Sequence, residues 1–370
     1  MSFWGMVEEK EECTKSRAGR MAWLCSYTPV EIISCCGLLP YRIFAAHNKS
    51  FYGSSLLHTT LCPYVRGALD ELLQETERDL EGAVLVHSCN AIFHLYHALV
   101  RYSKLPFTYL LDLPRDSSPQ AIAFYADSLQ KFHATLSAHC GIQAREDDLW
   151  EQIYLYAENR SKLMELYRNS ALKGIPDGSE LIRLVRSLMI LPAQDFQQLF
   201  QDYYQKKLQE EYSRSFQRGP RIFLTGSMAP FHLIKMIREL GGRIVLDDLC
   251  NGKRAVDFSD RPAPGENPYQ YLARLYLKRA PCARMKHAAE QIVCLNGILQ
   301  DHDLAGIIFF YLKFCDSWYY YGQLLKEKLH QVPVLVLEAE EMESGVTGQQ
   351  RTRIAAFLEM LQEAGKAGIR

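Results

Sequence analysis

Short, uninterrupted apolar runs that halt at a turn constrain this chain more than any other feature. Gly82-Ala83-Val84-Leu85-Val86 is one, stopped by His87-Ser88-Cys89-Asn90. A run without polar alternation has no wet face, so it reads as a strand buried on both sides, as in a parallel sheet. A helix from Ala91 to Val100 and a second strand, Phe107 to Leu111, follow. Strand, helix and strand within about thirty residues make a βαβ unit.

The same rhythm returns later, in Arg221–Gly226, Arg243–Asp248, Ala305–Tyr311 and Val334–Leu337. Ser227 is the expected N-cap of the helix carrying Leu233, Ile234, Ile237 and Leu240, and Gly241-Gly242 ends it. After a loop from Phe258 to Pro268, helices are expected before Ala280-Pro281-Cys282 and on to about Leu299, and a last amphipathic helix runs from Arg353 to Leu361. Between the two α/β stretches the periodicity is helical: Ala121–His139, Asp147–Asn169, Ser179–Met189 and Ala193–Arg214, broken at Gly174–Gly178. The expected architecture is α/β, with two Rossmann-like parallel-sheet domains and an intervening helical module. Its expected bounds are residues 1–117, 118–218 and 219–370.

Charge excludes some partners. Forty-two basic residues balance 43 acidic ones and no long block concentrates Lys and Arg, so nucleic acid is not an expected partner. Met1 to Arg20 is polar, without the roughly 7–15-residue apolar region of a secretory signal. No window approaches the ~18 uninterrupted apolar residues of a membrane span. The expected setting is cytoplasmic, where eleven cysteines are structural thiols, redox thiols or metal ligands rather than disulfides.

Six of those cysteines fall at junctions. Cys25 and Cys62 stand at expected helix starts, with Pro29 and Pro63 just inside. Cys89, Cys250 and Cys315 lie just past expected strand ends, and Cys282 follows a proline turn. Open parallel sheets bind ligands outside the carboxyl ends of their strands, so these thiols could converge in one cleft between the halves. Converging thiolates suit iron–sulfur clusters. Structural zinc usually draws on local Cys pairs, and there is no CxxC here. The remaining cysteines read as packing or surface residues: Cys13 in a solvated tail, Cys35, Cys36 and Cys294 on helices, Cys140 at a helix end.

Other motifs are missing, among them GxGxxG, GxxxxGKS, HExxH and GxSxG. Gly226-Ser227 could hold a phosphate, such as that of coenzyme A, but an N-cap doing nothing more is the preferred reading. The aromatic run Trp318 to Tyr321 fits a pocket wall or a core. His87, His94 and His97 read as hydrogen-bonded histidines rather than ligands.

Taken in order, Cys25-Ser-Tyr-Thr-Pro with Gly37 to Arg42, Leu61-Cys62-Pro-Tyr-Val-Arg66, Ser88-Cys89, Asp112-Leu-Pro-Arg115, Asp247-Asp-Leu-Cys250, Pro281-Cys282, Lys313-Phe-Cys315-Asp316 and Gln350 to Glu359 resemble one family. It is the 2-hydroxyacyl-CoA dehydratase D-component family, which includes benzoyl-CoA reductase subunits and double-cubane-cluster proteins. The resemblance implies two Rossmann-like domains with a cluster between them. Cys25, Cys89 and Cys315 would hold a [4Fe–4S] cluster, and a separate ATP-hydrolysing iron–sulfur activator would supply single electrons. In the dehydratases of the family, the reduced thioester forms a ketyl radical that lets an unactivated hydroxyl leave.

Two positions differ from the dehydratase pattern. Where dehydratases place two acids after the first motif's proline, this chain has Val30 and keeps only Glu31, the one candidate catalytic residue; Asn90 replaces the usual Asp after Cys89. Both weigh against hydroxyl elimination. The extra motif cysteines Cys62, Cys250 and Cys282 point toward the double-cubane branch, in which six thiolates hold an [8Fe–9S] cluster. The expected protein is therefore a low-potential iron–sulfur reductase component, a homodimer, acting on a small molecule. The alternatives are a 2-hydroxyacyl-CoA dehydratase subunit in a heterodimer, acting on an acyl-CoA, and a cluster-free or cluster-storing accessory protein in which the thiols serve structure.

Overall fold

The computed structural model describes residues 2–15, 19–45, 52–75, 80–210, 219–258, 260–286, 292, 302–329, 332–340 and 348–366. Two four-stranded sheets, parallel throughout, form its frame. The first contains β1 (Arg20–Trp23), β2 (Leu39–Arg42), β3 (Leu80–Val86) and β4 (Thr108–Leu111), in the order β2-β1-β3-β4. The second contains β5 (Arg221–Gly226), β6 (Arg243–Asp247), β7 (Gly306–Leu312) and β8 (Val334–Ala339), in the order β6-β5-β7-β8. The two orders are the same, and in each the chain reverses direction of travel across the sheet between its second and third strands. That switch point is where open α/β sheets leave a crevice.

Central strands are apolar because both faces are covered. Every residue of β7 is buried, and so are all but one of β3. In register, Phe223, Leu224 and Thr225 of β5 lie beside Ile307, Ile308 and Phe309 of β7. Gly226 then ends β5 at φ +128°, and a Cβ there would stand 1.9 Å from the Phe310 carbonyl oxygen, so no larger residue fits. The turn after β5 is thereby tied to β7, and the Ser227 N–H donates to that same carbonyl at 2.9 Å.

Long helices bind the sheets together. Pro119–His139, Glu146–Lys173, Gly178–Leu188 and Ala193–Gln209 occupy the middle of the chain, with side-chain caps at Ser118 and Asp177. They touch both halves. Tyr125 donates to the Tyr27 carbonyl at 2.7 Å, His133 Nδ1 meets the Tyr269 hydroxyl at 2.8 Å, and Tyr167 donates to Asp247 at 2.8 Å. One contiguous apolar core runs through both sheets and these helices.

Several elements differ from expectation. Arg20–Trp23 and Leu39–Arg42 are strands, although one holds a buried arginine and the other, at the sheet edge, a proline. The stretch ahead of the first is no simple polar tail, since Phe3–Lys15 is a helix whose Phe3 stacks on Tyr203. Cys13 lies on that helix and is exposed. The helix after Cys25 starts only at Val30, with Pro29 as its N-cap, so Cys25 sits in a preceding turn closed by the Thr28 N–H on the Cys25 carbonyl. The helix after β5 begins at Phe231 with Pro230 as its cap, which leaves Ser227 without the expected role. The expected helix to Leu299, with Cys294, lies outside the described residues. No described helix is long and apolar enough to cross a membrane.

Candidate functional site

At the carboxyl ends of the strands, the two sheets face one cavity of about 740 Å³, mouth included. Cys25, Cys62, Cys89, Cys250, Cys282 and Cys315 all line it. Cys35, Cys36, Cys140 and Cys13, the other described cysteines, do not.

Equivalent backbone features carry the thiols in the two halves. Cys89 follows β3 and caps the helix Asn90–Tyr102; Cys315 follows β7 and caps the helix Asp316–Lys328. Cys62 lies in the crossover into β3, ahead of the helix Pro63–Glu75, and its carbonyl accepts from the Val65 N–H. Cys282 lies in the crossover into β7, its carbonyl accepting from the Met285 N–H. Backbone N–H groups at such turns favour negative charge on sulfur. Phe314, just before Cys315, has φ +63°, a conformation rarely adopted by a bulky side chain.

Buried networks hold the two remaining cysteine loops. Asp247 accepts from the Leu249 and Lys253 N–H groups and from Tyr167, which pins the loop carrying Cys250. Burial pushes the Asp247 carboxyl up to about 6 against these donors. In the Cys25 loop, Tyr64 donates toward the Leu24 and Ile43 carbonyls, and the Tyr27 hydroxyl accepts from the Cys282 N–H at 3.3 Å. Arg279 stacks on the Tyr27 ring at 4.0 Å and donates to Ser26.

Arginine answers the sulfur. Arg284 places one nitrogen 3.1 Å from Cys315 Sγ and another 3.8 Å from Cys282 Sγ, and Arg254 stands 3.4 Å from Cys250 Sγ. Buried together, Cys250 and Cys282 interact so that the Cys282 thiol is held well below its usual range while that of Cys250 rises. Burial pushes Cys62 up to about 12 and also raises Cys315, opposed there by Arg284. Outside the cavity, burial pushes Cys35 up to about 12 and Cys36 up to about 11, as expected of inert packing thiols.

The donor set is all sulfur. Among the described lining residues there is no carboxylate and no histidine, and Arg42, Arg115 and Arg284 are the charged ones. Among the described residues no three Cys, His, Asp or Glu side chains are drawn close enough to hold a single metal ion. Six thiols facing one space suit a group of several metal atoms better than a lone zinc.

Glu31 lies elsewhere. It is fully buried in an ion pair with Arg160, its second oxygen accepting from Tyr276 at 2.8 Å, with the Phe258 ring 4.3 Å from the guanidinium. This cluster joins a helix of the first half, a central helix and a helix of the second half. His87 and His97 pack against Phe93 rather than lining the cavity. Of the aromatic run, Trp318 lines the cavity and Tyr321 packs on Phe309, while Tyr319 and Tyr320 are exposed.

Sequence comparison covers nearly the same span. The chain is 23% identical over 314 residues to a benzoyl-CoA reductase subunit of Thauera aromatica, covering 80% of this chain and 78% of the relative. It is 22% identical over 355 residues to the (R)-phenyllactyl-CoA dehydratase beta subunit of Clostridium sporogenes, covering 90% of each. Residues 25–361, from the first cavity cysteine to the last helix, match the profile of the 2-hydroxyglutaryl-CoA dehydratase D-component, and the chain belongs to that family.

Proposed function

We propose that this protein is a low-potential iron–sulfur reductase component, taking single electrons from an ATP-hydrolysing activator and delivering them to a small substrate in the cavity between the sheets. The observation that carries the reading is the convergence of six thiols, and of none of the other four described cysteines, on that one space. Cys25, Cys62 and Cys89 from the first half and Cys250, Cys282 and Cys315 from the second would hold an [8Fe–9S] double cubane. In a single-cluster protein, Cys25, Cys89 and Cys315 would hold a [4Fe–4S] cluster. When bound, such a cluster supplies one-electron transfer at low potential and a Lewis-acidic iron.

The chain's own residues set the conditions. Arg284 stabilises negative charge on Cys315, which it contacts at 3.1 Å, and on Cys282, at 3.8 Å. Leu24, Val65, Ile92, Leu113, Met228 and Trp318 form an apolar wall that keeps water from the reacting centre. The relatives named above are subunits of multi-component enzymes, which supports a partner protein here. We take the assembly to be a homodimer, with a heterodimer as the alternative.

A second reading, a 2-hydroxyacyl-CoA dehydratase subunit, has the named dehydratase relative in its favour. It lacks a carboxylate among the described cavity residues to handle a leaving hydroxyl, because Glu31 is committed to Arg160. Iron and acid-labile sulfide per chain, measured on anaerobically purified protein and on Cys62→Ser and Cys315→Ser variants, separate the readings. About eight irons, falling with either change, is the result expected of a double cubane. About four irons, lost with Cys315→Ser and indifferent to Cys62→Ser, would mean a single open-site cluster, and an iron-free chain would overturn both.

A further inference from the structure

The arginines near the thiols differ in what they hold. Arg42 lies on the Trp23 ring, 4.5 Å from guanidinium to ring centre. Arg115 is exposed and donates to the Ser88 and His87 carbonyls. Arg254 is 1% exposed and reaches Cys250 Sγ at 3.4 Å, but Asp248 answers its charge at 2.9 Å. Arg284 stands apart from these. Its Nη2 donates to Cys315 Sγ at 3.1 Å and its Nη1 to Cys282 Sγ at 3.8 Å, and no carboxylate among the described residues pairs it.

The backbone fixes that arrangement. The Met285 N–H donates to the Cys282 carbonyl at 2.9 Å, and the Lys286 N–H donates to the Arg115 carbonyl at 2.8 Å. The short stretch carrying Arg284 is thereby tied at one end to a cavity cysteine and at the other to the first half of the chain. Burial works against the guanidinium's charge, yet Cys315, Cys89, Cys282 and Cys62 all lie near enough to favour it. A planar fork can serve two sulfurs from separate loops at once, which a lysine ammonium cannot do in the same way.

The potential of an iron–sulfur cluster depends on its net charge, on hydrogen bonds to its sulfurs and on its exposure to solvent. Uptake of one electron adds one negative charge, with no bond made or broken and no proton moved. A fixed cation at hydrogen-bond distance from two ligating sulfurs stabilises that added charge. A cation neutralised by its own carboxylate, or standing in water, does so far less. We propose that Arg284 sets the reduction potential of the cluster, acting through Cys315 and Cys282, and so governs how readily the site accepts an electron. The role rests on the reading of this cavity as a cluster site fed by an activator.

The test uses full-length protein purified without oxygen, with iron per chain counted first and the cluster then titrated reductively and followed by electron paramagnetic resonance. Arg284→Met should lower the midpoint by 59 mV or more, a tenfold or greater fall in the equilibrium constant for one-electron uptake. Arg284→Lys should recover part of that loss, and more of it than Arg284→Gln, which keeps a donor without the charge. Arg115→Met, which removes an exposed cation from the same wall, should change the constant less than about threefold. An iron-loaded Arg284→Met protein with the wild-type midpoint would overturn the role and leave the cluster reading intact. Equal falls in Arg284→Met and Arg115→Met would overturn it as well, since the cavity's overall charge would then be the cause. Should Arg284→Met lose its iron, the other two variants decide: a higher midpoint in Arg284→Lys than in Arg284→Gln supports the role, and wild-type midpoints in both overturn it. Loss of iron from all three variants would make Arg284 a structural support and overturn it. Iron-free wild type would sink the cluster reading and this role together.

Discussion

The N-terminal and C-terminal sheets have the same strand order and the same helix-capping cysteine after the third strand, yet they hold their thiols by different means. On the first side, the described hydrogen bonds hold the backbone and hydroxyls around the sulfurs: Tyr64 on the Leu24 and Ile43 carbonyls, Tyr125 on the Tyr27 carbonyl, Arg279 on Ser26 and Arg115 on the Ser88 carbonyl. On the second side, Cys250, Cys282 and Cys315 are met by Arg254 and Arg284, and Asp247 gathers the Cys250 loop. A common topology fixes where sulfur stands, and the local charge decides how easily each sulfur becomes thiolate. Among the described residues, arginine reaches sulfur directly only at the C-terminal thiols.

The joint between the halves offers the hardest test of that contrast. Arg160→Met would leave the Glu31 carboxylate buried and unpaired between three helices. It should cost about 3–5 kcal/mol in urea unfolding. Loss of the N-terminal sheet's protection alone, with the C-terminal sheet intact, would show that the halves are stabilised independently. Next, Gly226→Ala puts a methyl group against the Phe310 carbonyl in a backbone conformation suited to glycine. A loss of roughly 2–4 kcal/mol, read as a lower Tm, is expected.

Asp247 tests the charge side. Its folded carboxyl titrates near 6, above the ordinary value of 3.8, so its contribution to stability is present at low pH and is lost as pH rises through about 6. Wild type should therefore lose stability relative to Asp247→Asn between about pH 4 and pH 6 in paired urea titrations; a flat difference would mean the carboxyl is not desolvated. The smallest effect belongs to Cys35→Ala. It removes a thiol facing His133, outside the cavity, and should leave iron per chain unchanged with a stability loss of about 1 kcal/mol or less.

The parts of this fold legible in the sequence are those in which burial writes itself locally. β3, β5 and β7 are continuous apolar runs, and the central helices carry caps and apolar stripes. β1 and β2 are four-residue strands whose Arg20 and Pro40 break any pattern; they are strands because neighbours pair with them. The site divides in the same way. Six cysteines could be picked out because each sits at a junction visible in the chain. Arg284 beside Cys315, Ser227 in the cavity wall and the Glu31 partners could not, because Arg160 and Tyr276 lie 129 and 245 residues away and nothing local announces them. Arg42 and Arg115 belong to recognisable sequence motifs, but nothing local shows that they face the thiols.

The distribution of those cysteines along the chain has a mechanical consequence. Strand ends and helix caps hold six sulfurs from nearly the full length of the polypeptide around one space. In the unfolded chain, gathering them would require closing very long loops, whose entropic cost grows with the logarithm of their length. In the folded chain they stand at a high, fixed effective concentration, and losing one would weaken the grip of the other five on any group they shared. A group held from both sides would act as a clasp across the cleft, so its departure and the parting of the two sheets become a single event.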